Sequence, residues 1–168
     1  LIVSESRVDP EQLNMFYNVC DCTINIASNE GFGLGTLESL FAGTLIAVHM
    51  TGGLQFQIGD WWEGITDFSN QDRLTEIARK KWQSGVGNWW GAPIFSASRS
   101  CTGSQQIPYI YDDKVCHDDT VKALVRIYNM GRARRKEMGL KAREWVQKSF
   151  NFEKMISEWD RVIQQEVH

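Results

Sequence analysis

The segment Ser28-Asn29-Glu30-Gly31-Phe32-Gly33-Leu34-Gly35-Thr36-Leu37-Glu38 constrains this chain more than any other. It joins an apolar strand pattern, Thr23-Ile24-Asn25-Ile26-Ala27, to an amphipathic helix pattern running from Leu37 to Ala42. Glycine at alternate positions lets backbone N–H groups approach a ligand closely. The helix that follows turns its unpaired N–H groups and positive dipole end toward the same place. An anion belongs at such a turn, on the ligand edge of an open α/β sheet.

Phosphate is the usual anion, yet no Gly-Lys-Ser/Thr follows and the spacing is not Gly-x-Gly-x-x-Gly. The two carboxylates therefore carry the distinction. Glu30 ends the strand side of the loop and Glu38 lies about one turn into the helix, so both are expected to face one cleft. A carboxylate accepts hydrogen bonds from neighbouring hydroxyls, which suits a vicinal diol. A diphosphate cradle between two diol readers describes a nucleotide-sugar.

With these residues stand Tyr17-Asn18-Val19-Cys20-Asp21, Glu38-Ser39-Leu40-Phe41-Ala42-Gly43, the strand Leu45 to His49, and Gly52-Gly53. In that order they resemble the donor half of retaining glycosyltransferases of the GT-B fold, the group 1 family with a Glu-x7-Glu signature. The match runs from about Asp9 to Ile58, and more loosely from Val121 to Trp159 through Met138-Gly139, Ala142-Arg143 and Phe150-Asn151-Phe152. The resemblance implies that Glu30 contacts the donor sugar near the reacting carbon. It implies that the backbone of Gly31, Phe32, Gly33 and Leu34 holds sugar and diphosphate, that Glu38 binds the ribose hydroxyls, and that Gly52 and Gly53 line the same donor site. It further implies a nucleoside-diphosphate sugar as substrate, a hydroxyl acceptor, and no cofactor or obligatory metal, there being no Asp-x-Asp triplet.

The chain departs from the family pattern in places. Leu45 stands where the family often has proline, a change that a buried parallel strand accepts. After Gly52-Gly53 the family commonly has an acid near position 56, whereas here the run is Leu54-Gln55-Phe56-Gln57. A complete enzyme of this kind has two Rossmann-like domains. The 168 residues, opening on the apolar Leu1-Ile2-Val3-Ser4, are expected to be part of a donor domain, with Arg7 the one basic residue ahead of Glu30. A separate acceptor domain or a second copy is the expected partner.

Composition supports one domain spanning 1–168: at 42% hydrophobic and 23% charged residues, the chain can bury a core without staples. A net charge of −3 excludes the basic footprint of a nucleic-acid binder. The cluster Arg132, Arg134, Arg135, Lys136, Lys141 and Arg143 alternates with apolar residues at helical spacing and reads as a solvated helix face. No apolar window is long enough for a transmembrane helix and no signal-peptide pattern opens the chain. Cys20 and Cys22 read as thiols on one face of a strand, and Cys101 and Cys116 lack zinc-ligand spacing, so a reducing, cytoplasmic setting is expected.

The fold class expected is Rossmann-like, a three-layer α/β/α sandwich on a parallel sheet with a helical tail. Helices are expected at Pro10 to Cys20, capped by Asp9, at Thr36 to Gly43 and at Asn70 to Trp82. The tail reads as helices from Thr120 to Met130, Arg132 to Lys148 and Glu153 to Val167, the last with Met155, Ile156, Trp159, Val162 and Ile163 on one stripe. Residues 61–118 form an aromatic-rich segment: Gly85 to Pro93 reads as a loop, with short strands around Ile94-Phe95 and from Ile107 to Tyr111. Trp61-Trp62, Trp89-Trp90, Tyr109 and Tyr111 suit either a sugar-stacking platform or the closure of a core, the commoner use of aromatics. His49, at the ligand edge, reads more readily as a packed residue than as a catalytic one. Two other readings remain open: a non-catalytic nucleotide- or carbohydrate-binding module that works through its tryptophans, and a Rossmann-like structural fragment.

Overall fold

Asp9 opens α1 (Pro10–Val19): its carboxylate accepts the Gln12 N–H at 2.8 Å, and Pro10 occupies a first-turn position that needs no donor. The computed structural model describes residues 7–166, so the expected strand at Leu1 to Ser4 lies outside the described residues. Helix α1 buries none of its residues; Thr44 Oγ1 anchors it by donating to the Tyr17 carbonyl at 2.6 Å.

Three parallel strands follow, β1 (Cys22–Asn25), β2 (Leu45–His49) and β3 (Gly91–Ile94), in the spatial order β1-β2-β3. Strand β2 is central and buried along its whole length. Its side chains alternate, as the pleat requires. Ile46 and Val48 join Leu37 and Leu40 of α2 (Leu34–Phe41), Leu74 and Ala78 of α3 (Gln71–Ser84), and Ala142 and Val146 of α5 (Gly131–Ser149). Leu45 and Ala47 join Ala92, Ile94, and Ala123 and Ile127 of α4 (His117–Asn129). The sheet therefore carries helices on both faces, the α/β architecture expected.

Asn70 caps α3 by accepting the Arg73 N–H at 2.9 Å, and Gly85 ends it in the left-handed conformation. The tail forms α4, α5 and α6 (Phe152–Glu166), each within a few residues of its expected bounds; the expected end at Val167 lies outside the described residues. The stripe on α6 is solvent-exposed from Met155 to Ile163.

Three expectations are corrected. The end of the expected Gly85 to Pro93 loop belongs to β3, which pairs with β2 through Ala47↔Ala92 and Val48↔Pro93. Proline is tolerated because β3 is an edge of the described sheet, where one side needs no ladder donor. Ile107 to Ile110 lies in a turn, with Tyr109 at φ 66°, and the strands on either side are β4 (Ser96–Cys101) and β5 (Tyr111–Val115), an antiparallel hairpin. Their sequences are polar and lack the alternation that marks a half-buried strand. Cys20 is the exposed end cap of α1 and not a strand neighbour of Cys22. Burial pushes the Cys22 thiol up to about 11, and all four cysteines are free.

Candidate functional site

The glycine-rich turn runs from the end of β1 into α2 at the carboxyl edge of the sheet. Gly33 is the residue before α2 and adopts φ 88°, ψ 61°, a left-handed conformation that aims the chain into the helix. No side chain caps α2, and its first turn contains no acidic residue. Its leading N–H groups therefore point at the turn without a protein acceptor supplied by a cap, the condition under which a helix end binds an anion. Leu34 and Phe32 are exposed, and the space beside Gly31 is open.

The 3₁₀ turn at Gly52–Phe56 closes against this loop. Gly53 N–H donates to the Glu30 carbonyl at 3.2 Å. Gly52 sits at φ 47°, and a Cβ on it would strike the Glu30 carbonyl oxygen. The two backbones meet with no room for a side chain between them. Gln57, fully buried, ties the turn from below: its amide donates to Phe32 O at 2.5 Å and to Gly33 O at 3.3 Å, and its oxygen accepts from Thr36 Oγ1 at 2.7 Å. Phe32 in turn meets Phe150 edge to face at 5.6 Å.

The structure thus brings Glu30, Gly31, Phe32, Gly33 and Leu34 together with Gly52 and Gly53. The Glu30 side chain is half-buried and makes no hydrogen bond among the described residues. Glu38 is the fifth residue of α2, beyond the first turn, so the helix dipole does not explain it. Its carboxylate is exposed and held from the side by Tyr17, whose hydroxyl donates to Oε2 at 3.0 Å. Oε1 is left to accept from a ligand. Desolvation, with the neighbouring Glu38 charge, pushes the Tyr17 phenol up to about 12 from an ordinary 10. Because the protonated phenol is the form favoured by the fold, this pair contributes stability in full below pH ~10 and loses it between ~10 and ~12. A Tyr17→Phe variant is expected to remove the highest-pH step of a spectroscopic tyrosine titration; an unchanged titration would contradict the pair.

A second ring of residues, which sequence reasoning missed, braces the site from the hairpin. Asp113, buried on β5, accepts Arg99 Nε at 2.7 Å and Thr51 Oγ1 at 3.0 Å, while its backbone N–H donates to Ser28 O at 3.0 Å. Asn29 donates to Tyr111 O at 2.7 Å. The hairpin thereby clamps both loops of the ligand edge. Nothing in the local pattern of Tyr111-Asp112-Asp113-Lys114 signals this, because each partner is remote in sequence.

His49 is fully buried, with Nδ1 2.8 Å from Ala27 O and Nε2 2.8 Å from Ser96 Oγ. Ala27 O only accepts, so in the neutral ring Nδ1 donates and Nε2 accepts from Ser96. The ring fastens the end of β2 to the segment that follows β1 and to the first residue of β4. Of the tryptophans weighed as a sugar platform, Trp61 and Trp90 are core residues, and Trp62 and Trp89 pack partly buried against the same core. Tyr109 and Tyr111 are exposed on the hairpin. Packing against α3 and α5 claimed the indoles. Among the described residues no helix is long and apolar enough to cross a membrane.

No protein-family model and no curated protein matches the chain. Among solved structures it is similar to sucrose-phosphate synthase from Thermosynechococcus elongatus, with a TM-score of 0.60 and 19% identity, covering 96% of this chain and 29% of that one. What is shared at that identity is the fold. The chain has a glycosyltransferase-like α/β fold and spans less than a third of that neighbour's length.

Proposed function

We infer that the chain is the donor-binding part of a retaining glycosyltransferase that moves a sugar from a nucleoside diphosphate to an acceptor hydroxyl. One observation carries this reading: an uncapped helix end, opened by a left-handed Gly33, faces a glycine-lined turn that has a carboxylate on each side. The N–H groups of Gly31 to Thr36 take the diphosphate and stabilise the charge that develops on it as the sugar leaves, with no metal required for that task. Glu38, steadied by Tyr17, accepts from the ribose diol through Oε1. Glu30 holds the hydroxyls of the donor sugar beside the reacting carbon. Gly52 and Gly53 close the far wall.

Gln57 explains how the site does without the acid that the glycosyltransferase pattern commonly has after the Gly-Gly turn. In this chain the segment supplies an amide that fixes the carbonyls of Phe32 and Gly33, and so the direction of the N–H groups between them. A further domain or a second copy supplies the surface that binds the acceptor.

Calorimetric titration with UDP-, GDP- and ADP-sugars in chelator tests the reading. Glu38→Ala is expected to weaken binding of the preferred donor by roughly 10- to 100-fold, the loss of one or two hydrogen bonds to a charged acceptor. No binding by any donor, or equal binding by the variant, would overturn it.

A further inference from the structure

A cavity lies at the amino ends of the strands, on the edge of the sheet opposite the glycine-rich turn. It has a volume of about 600 Å³ and opens between the end of α3, the residues leading into β3, and the facing sides of α4 and α5. That volume is in the range of small-molecule sites. Its floor is apolar: Trp90 and Met138 are buried and Trp89 is half-buried. Its rim is cationic, with Arg126, Arg134 and Lys141.

The cations are poorly neutralised. The Arg126 guanidinium stacks on the Trp82 indole, 3.8 Å from the ring centroid, and has no carboxylate partner among the described residues. Stacking fixes the plane of its five N–H donors and leaves their edges free. Arg134 and Lys141 share one acid, Glu137, at 2.7 and 2.9 Å. Three cations thus face one carboxylate in a chain whose net charge is −3. The cavity concentrates positive charge above tryptophan surface.

The geometry points to a second ligand site that takes an organic phosphate monoester, its phosphate on Arg126, Arg134 and Lys141 and its ring against Trp89. Arginine and lysine converging on one opening suit a phosphate dianion. The tryptophan floor suits the apolar face of a sugar or base. The site stands on the opposite edge of the sheet and uses neither Glu30 nor Glu38; Trp90 on its floor donates through Nε1 to the Gln57 carbonyl at 2.6 Å and so links it to the turn side.

The test is titration of the chain with glucose 6-phosphate, adenosine 5′-monophosphate and inorganic phosphate, read by tryptophan fluorescence and calorimetry. At least one of the two esters is expected to bind about tenfold or more tightly than inorganic phosphate, and the stronger one says whether sugar or base lies on the indole. Arg126→Gln and Lys141→Gln are each expected to weaken that ester about tenfold, with Glu38→Ala leaving it unchanged. Lys141 is exposed on α5, so its variant keeps the test decisive if loss of the Arg126 stack disturbs folding. Binding of neither ester, binding no tighter than inorganic phosphate, indifference to Lys141→Gln, or loss in Glu38→Ala would each overturn the assignment.

Discussion

Gly52→Ala is expected to destabilise the chain by about 2–5 kcal/mol and to abolish whatever the turn binds. Two costs add. The residue sits at φ 47°, where a side chain costs about 1–2 kcal/mol, and the new methyl meets the Glu30 carbonyl oxygen. That oxygen is backbone and accepts the Gly53 N–H, so it moves only if the two loops part. Separating them removes the wall facing Gly31 and Phe32. Gly64→Ala supplies the comparison: its φ is 81° but nothing stands near its Cβ, so it bears the conformational cost alone. In a domain of this size each kcal/mol moves the melting temperature by roughly 2–4 °C, which makes the difference between the variants measurable by thermal unfolding. Equal losses would show that the two backbones do not meet as described.

Trp61→Ala is expected to cost about 3–5 kcal/mol, the range for deleting a fully buried aromatic side chain. Trp61 is 0% exposed, stacks parallel to Phe56 at 6.1 Å and donates through Nε1 to Gln55 O at 2.6 Å. Its removal leaves a cavity, and it leaves Gln55 O without that donor under the 3₁₀ turn that holds Gly52 and Gly53. Trp159→Ala is the control, since Trp159 is 58% exposed on α6 and its loss should fall within about 0.5 kcal/mol. Denaturant unfolding of the pair separates them. A Trp61 variant as stable as the Trp159 one would place the indole on the surface and return it to the role of a sugar platform.

The tryptophans show where local pattern ends. Trp61 and Trp62 are adjacent and alike in sequence, and only packing decides that Trp61 is enclosed while Trp62 lies at the margin of the core. Gln57 is similar. As a residue it signals nothing, yet burial beneath Phe32 and Gly33 makes its amide a strut of the site.

The parts whose physics is local are legible in the residues alone. Asp9-Pro10 starts α1, the apolar run at Leu45 to His49 forms the buried central strand, and glycine spacing opens the turn into α2, because each depends on neighbours within a few residues. The amphipathic periodicity of α3, α4 and α5 was legible for the same reason. Long-range packing makes Gly91–Ile94 the third strand, pairs the polar segments at Ser96 and Tyr111 as a hairpin, and joins Asp113 to Arg99, Thr51 and Ser28. Those residues acquire their roles from partners far away in the chain. A strand that carries proline, or a buried carboxylate, is stable only once the β2 ladder or the arginine that satisfies it is already in place.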